Sequence, residues 1–278
     1  MRLKNVIKLI SIFILSIGIF VGINQGKVHA YSSDTKTIKL GTSPGPYSDL
    51  FWNGIRPILE KDGYKVEKVN FSDLNHADEA LKEGSVDLNV EQHTAWLKNY
   101  NKQNNADFVG LTAIPSVPMG IYAGKSTSLK NIPNKAKVAI PNDASNRSRA
   151  YQLLAQEGII KLKSSAKNSA TVTQKDITSN PHKLQFVEMN SSQIPRSLKD
   201  VNYGILPGSI SYSSKVSTKK RLAKEKIQSQ YLLQATVNKK DENTAWAKAV
   251  KKAYQSQEFK NYVNKHNKQG YWYVPNYK

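Results

Sequence analysis

VAIPNDASNRSRAY, residues 138–151, runs from three apolar residues through a Pro-Asn-Asp loop into a stretch that keeps Ala150, Leu153 and Leu154 on one side. A short apolar run closed by turn formers reads as a buried strand, and the spacing that follows reads as a helix. The stretch is therefore a strand–loop–helix unit of an α/β protein. Two arginines, Arg147 and Arg149, open the helix. The first turn of a helix has unpaired N–H groups and partial positive charge, so a cation there is mildly unfavourable. An anion held jointly by the free amides and a guanidinium fork would account for the placement. Arginines turned to water would account for it equally well.

The same unit recurs on both sides. IKLGT (38–42) is a strand ending in the turn SPGPYSD, and Leu50 to Leu59 is helical up to Gly63. VEKVNF, VDLNV and DFVGLTAI read as further strands, separated by the helices ADEALKEG and TAWLKNYNKQ. MGIYA (119–123) is a strand, and LQFVEM, SSQIPRSLKD and YGILPG give strand, helix, strand. Two helices close the chain, with Asn243 and Ser256 as expected caps. KLKSSAKNSATVTQK (161–175) is polar and lysine-rich and reads as a surface excursion. Alternating strands and helices predict parallel sheets covered on both faces, and 278 residues suffice for two of them. Ligands of open α/β sheets bind beyond the carboxyl ends of strands, so SPGPY, EQH, IPNDASNRSR and LPGS are the candidate loops.

Composition bounds the function classes. With 39% apolar and 22% charged residues the chain can bury a large core. MRLKNVIK is basic, LISIFILSIGIFVGI is uncharged and apolar, and GKVHA offers a small-residue cleavage site. Residues 1–30 are expected to be a signal peptide cut after Ala30, with 31–36 a flexible linker, giving an exported protein in the extracellular space or at the cell surface. Cysteine is absent, which excludes disulfides and thiol catalysis and leads to the expectation of no lipid anchor through cysteine. The net charge is +20, of which Arg2, Lys4, Lys8 and Lys27 belong to the leader. The remaining lysines are dispersed, with clusters only around Lys219–Lys226 and Lys248–Lys252, and read as a solvated surface. An anionic cell-wall or membrane surface is an open partner class, and no nucleic-acid module is present. Ser145 and His93 are raw material for a hydrolase, but there is no Gly-x-Ser-x-Gly elbow, HExxH or CxxC. His76, His93, His182 and His266 lack metal-ligand spacing. The expectation is a non-enzyme without catalytic residues, metal or cofactor.

TSPGPYSDL, EQHTAWL, the run from Pro118 to Tyr122, VAIPNDASNRSRA and QIPRSLKDV follow one another in an order that resembles the NlpA-type family, the methionine-binding lipoproteins of ABC importers. The resemblance extends from about Thr37 to Pro275. It implies a type 2 periplasmic-binding-protein fold, two α/β lobes joined by a two-strand hinge. Lobe 1 would be residues 37–117 plus 209–278, and lobe 2 residues 118–208. By the resemblance Arg149 holds a ligand's α-carboxylate with Asn146 beside it, and Arg147 is solvated. Gln92 and His93 match the family's Gln-His pair, with His93 lining the cleft. Tyr122 would belong to the hinge or cleft wall, or to the core. The implied partners are a small-molecule ligand and an ABC permease, with the chain a monomer. The chain departs from the family pattern at Leu74, Val90, Glu91, Pro207, Gly208 and Ser209. The expected ligand is therefore a small carboxylate-bearing molecule, methionine, another amino acid or a short peptide, with Glu91 available to its cationic group. The alternative is a surface-retained basic protein with a degenerate site.

Overall fold

The computed structural model describes residues 37–267 and 270–277, so the expected signal peptide and linker lie outside the described residues. The chain opens with β1 (Thr37–Thr42), in which Ile38 and Leu40 are fully buried. A continuous helical path follows: α1 (Pro46–Leu50), a π-helical stretch (Phe51–Ile55) and α2 (Arg56–Lys61). Pro57 has no N–H to donate to the residue four back, and the ladder widens just before it. Gly63, at φ 89°, ends the path. Then come β2 (Lys65–Asn70), α3 (Leu74–Glu83), β3 (Leu88–His93), α4 (Thr94–Asn104) and β4 (Phe108–Ala113).

The chain next crosses to a second sheet. Its elements are β5 (Gly120–Ala123), β6 (Lys137–Pro141), α5 (Ala144–Gln156), the short pair β7 (Lys161–Leu162) and β8 (Ile177–Ser179), β9 (Gln185–Met189), α6 (Ile194–Ser197), β10 (Tyr203–Leu206), α7 (Gly208–Ser213) and β11 (Arg221–Lys224). It returns as β12 (Leu233–Asn238) and ends in α8 (Ala245–Gln255) and α9 (Gln257–His266). Thr244 caps α8, one residue after the expected Asn243, and Ser256 caps α9.

Two five-stranded sheets result, ordered β2-β1-β3-β12-β4 and β11-β5-β10-β6-β9. β1 is parallel to β2 and β3, and β6 to β9 and β10. The expectation of parallel sheets needs correction where the chain changes lobes. β12 runs antiparallel to β3 and β4, and β5 antiparallel to β10 and β11, because strands arriving from the other lobe enter from the opposite end. The pairing of β11 with β5 also keeps the chain on the second sheet through Lys224, so the return to the first lobe falls after residue 224 rather than at 209. The expected surface excursion is partly buried too. Ala166 and Val172 join the second core, and the Ser169 carbonyl accepts from Ser148 Oγ and Gln152 Nε2 of α5.

The two crossings run side by side. Glu225 N donates to Met119 O at 3.0 Å, and Leu233 N donates to Ser116 Oγ at 3.0 Å. Ser116 and Tyr273 exchange two backbone hydrogen bonds of 2.9 Å, which clasp the C-terminal segment to the first crossing.

β3 delivers the first lobe's site residues, and it is irregular. Gln92 pairs with Gln234 and Asn89 with Thr236, so Val90 and Glu91 together stand opposite Ala235 alone. This is a β-bulge, a device that re-aims side chains. It brings Asn89 and Gln92, three positions apart, to the same carboxylate: Asp78 of α3 accepts from Asn89 Nδ2 at 3.0 Å, from Gln92 Nε2, and from Trp96 Nε1 at 2.9 Å. Asp78 is fully buried, and burial pushes its carboxyl up to about 7 against the pull of the three donors. Asp78→Ala strands those donors at about 1–3 kcal/mol each, so urea denaturation is expected to show a loss of about 3 kcal/mol or more. A carboxyl whose folded pKa is raised binds more protons folded than unfolded, so its contribution falls as pH rises from about 4 to about 7. The stability gap between the native protein and Asp78→Ala should narrow across that window; a gap that widens would contradict this.

Candidate ligand-binding cleft

Between the lobes lies a cavity of about 870 Å³, within the usual range of small-ligand sites. Tyr47, Glu91, His93 and Trp96 line it from the first lobe, and Asn146, Arg147, Arg149 and Ser209 from the second. A hollow of similar volume, lined by Arg196, Lys199, Lys215 and Lys220, holds none of the expected site residues.

Arg149, one turn into α5, is 3% exposed. Its Nε donates to Glu225 Oε2 at 2.7 Å and to Oε1 at 2.9 Å, and Nη2 donates to Oε1 as well. Glu225, 8% exposed, also accepts from Met119 N at 2.7 Å. One carboxylate thus ties α5 to both crossings. Arg149 Nη1, on the guanidinium's other edge, has no hydrogen-bond partner among the described residues. The Tyr231 ring lies 5.5 Å from the Arg149 guanidinium carbon. Glu225 and Tyr231 had no motif to mark them. Glu225 is an acid inside the lysine-rich run KRLAKEK, and its partner lies 76 residues away.

His93 ends β3 and caps α4: its Nδ1 accepts from Trp96 N at 3.0 Å. Nε2 therefore carries the proton, and it faces Asn146 Oδ1 of the other lobe at 3.3 Å. Burial first, and the Arg149 charge second, push the imidazole down to about 3, so His93 is neutral at physiological pH. Asn146 is oriented by Asp143, which caps α5 by accepting from Asn146 N at 2.9 Å and from Asn146 Nδ2 at 3.2 Å. Ser145 Oγ also donates to Asp143, at 3.0 Å, so Ser145 and His93 bond different partners and form no nucleophile pair.

Glu91, placed by the bulge, is 9% exposed. Its Oε1 accepts from Ser48 N and Ser48 Oγ, both at 2.8 Å. Gly45 makes room for it, since a Cβ there would strike the Glu91 carboxylate. Burial pushes the carboxyl up to about 7, although both Ser48 donors oppose the shift.

The fold thus gathers Arg149, Asn146, His93 and Glu91 on one cavity, and two expected site residues are corrected. Gln92 lies on the strand face opposite Glu91 and His93 and turns to Asp78, and Tyr122 packs in the second lobe with Ala139, Ile194 and Leu206. Arg147 is not simply solvated: it lines the cavity and pairs with Glu188 at 2.8 Å. Of the divergent positions, Leu74, Glu91, Pro207, Gly208 and Ser209 line the cavity, whereas Val90 is core. Among the described residues no cluster of three or more His, Asp or Glu is placed to hold a metal.

Two α/β lobes, joined by paired crossings around a cleft that holds a pinned arginine, define a solute-binding protein of the type 2 periplasmic class. The chain belongs to the NlpA lipoprotein family, whose model matches residues 38–275. The D-methionine-binding lipoprotein MetQ of Salmonella typhi is 31% identical over 235 residues, covering 84% of this chain and 86% of that one. Outer membrane lipoprotein 3 of Mannheimia haemolytica is 29% identical, covering 84% and 89%. Among solved structures, a nutrient-binding protein from Burkholderia cenocepacia bound to methionine matches with a TM-score of 0.78 and 35% identity, covering 86% of this chain and all of that one. The family is one of binding proteins, not enzymes.

Breaking a buried ion pair by deleting one partner costs about 3–5 kcal/mol. Arg149→Ala, which strands Glu225, is expected to lower stability by that amount in urea or thermal unfolding, and Arg149→Met combined with Glu225→Leu should cost less than either single change. Imidazole NMR should show His93 as the Nε2–H tautomer with no titration between pH 5 and 8; a midpoint near 6.5, the ordinary histidine value, would contradict the buried cap.

Proposed function

We propose that this chain is the exported solute-binding component of an ABC importer and acts as a monomer that delivers a small carboxylate-bearing ligand to a permease. The observation that carries this reading is the state of Arg149: Glu225 fixes one edge of the guanidinium, while Nη1 is left to a residue that lines the inter-lobe cavity. A planar guanidinium held from behind is preorganised to take a carboxylate in front, at little further entropic cost. Asn146 and His93, bonded to each other across the cleft, close over the same space and couple capture to lobe closure. The relatives named as methionine-binding support an amino acid or a short peptide as the guest. The assembled cleft weighs against a surface-retained protein with a degenerate site.

Native mass spectrometry of the purified protein should reveal a bound small molecule, and isothermal titration with it would compare variants. Arg149→Lys retains the charge opposite Glu225 but not the fork, and is expected to weaken binding by about 2–5 kcal/mol, roughly 30-fold to several thousand-fold. Arg147→Ala, whose guanidinium is already engaged by Glu188, should change affinity by less than about fivefold. Equal losses at the two positions would refute a carboxylate clamp at Arg149.

A further inference from the structure

The cavity's charge runs against that of the protein. The chain carries +20, yet among the described residues no lysine lines the cleft. Its two arginines are already balanced, Arg149 by Glu225 and Arg147 by Glu188. Three carboxylates also line it: Asp73, Glu91 and Asp143. Asp73 is occupied in capping α3 and pairing with His76, and Asp143 has both oxygens engaged at the start of α5. Glu91 differs from both. It is almost fully buried, Oε1 takes both Ser48 donors, and Oε2 has no hydrogen-bond partner among the described residues. No Lys, Arg or His among the described residues lies within ion-pair distance of it.

A buried carboxylate with a vacant oxygen and no counter-ion is costly unless a proton or a cation supplies what the protein does not. We propose that Glu91 receives a positively charged nitrogen of the ligand, so that the cleft is selective for ammonium-bearing small molecules over their uncharged counterparts. This rests on the solute-binding reading and adds to it the chemistry of the guest's second pole. Arg149 and Glu91 are contributed by different lobes, so a ligand with one group of each sign bridges them, and closure is favoured only when both poles are filled. The raised affinity of the Glu91 carboxyl for a proton agrees with a site that is unsatisfied without a cation. The nitrogen can be the α-ammonium of an amino acid or peptide, or a side-chain ammonium.

Two pairs of probes separate these sources: methionine against its α-hydroxy analogue, and lysine against norleucine, each as both enantiomers, titrated calorimetrically into the protein. Hydrogen bonds to a charged group favour the ammonium-bearing member by about 10-fold to 100-fold. A preference within the methionine pair places the α-ammonium at Glu91, and one within the lysine pair places the side-chain ammonium there. Glu91→Gln keeps the size of the side chain and its acceptor for Ser48, and is expected to erase the preference, bringing the two members of the pair to within about threefold of each other. Should Glu91→Gln fail to fold by circular dichroism, the native protein's ratios still decide. Equal binding within both pairs, or a preference unchanged by Glu91→Gln, overturns the assignment and leaves the solute-binding reading standing. Binding of no probe by the native protein overturns both.

Discussion

The buried ion pair between Arg149 and Glu225 is the interaction on which the rest of the site depends. Glu225 stands where the chain leaves the second sheet, Met119 where it enters, and Arg149 on the helix that faces the cleft. A charge pair at this depth is not retained for stability alone, since apolar replacements of equal volume often do as well. It fixes a geometry: the guanidinium plane and the spacing of the crossings are set by one carboxylate. The spacing of the two crossings and the orientation of the arginine that lines the cleft are thereby referred to the same point.

The first lobe presents its side of the cleft through a chain of local constraints. Asp78 draws Asn89, Gln92 and Trp96 inward, and the bulge that allows this turns Glu91 toward Ser48 and the cavity. Capping α4 with His93 fixes the imidazole tautomer, and that in turn decides which nitrogen faces the other lobe. Arg149 and Glu91 are each held by a partner that does not line the cleft, Glu225 and Ser48, the kind of support that lets a binding site be preformed.

The electrostatics divide by location. Lysines spread over the exterior supply the large positive charge, whose effect beyond about 10 Å is screened in physiological salt. Inside the cleft the arginines are balanced and Glu91 is not. Exposed charge of this kind acts on solubility and long-range association, whereas the charges that solvent screens least are the few inside the cleft.

Strand and helix alternation, the family and the placement of Arg149 and His93 on the inter-lobe cavity were legible in sequence. Each is local: periodicity, caps and loop motifs are written within a few consecutive residues. Asn146 and Glu91 were legible for the same reason, as neighbours of those motifs. What sequence could not decide was direction and partnership. Strand alternation alone puts Gln92 on the face opposite Glu91 and His93, but nothing local puts Asn89 beside it: that takes a bulge, which arises from pairing with β12, more than a hundred residues on. Tyr122 on a short buried strand has two possible faces, and only the packing of α6 over that sheet assigns it to the core. Glu225 and Tyr231 belong to no motif and acquire a role only because the return crossing passes under α5. Sequence determined which elements form and which residues are chemically suited to hold an anion. Tertiary structure decided which of them meet, because a hydrogen bond acts over about 3 Å in space whatever the distance along the chain.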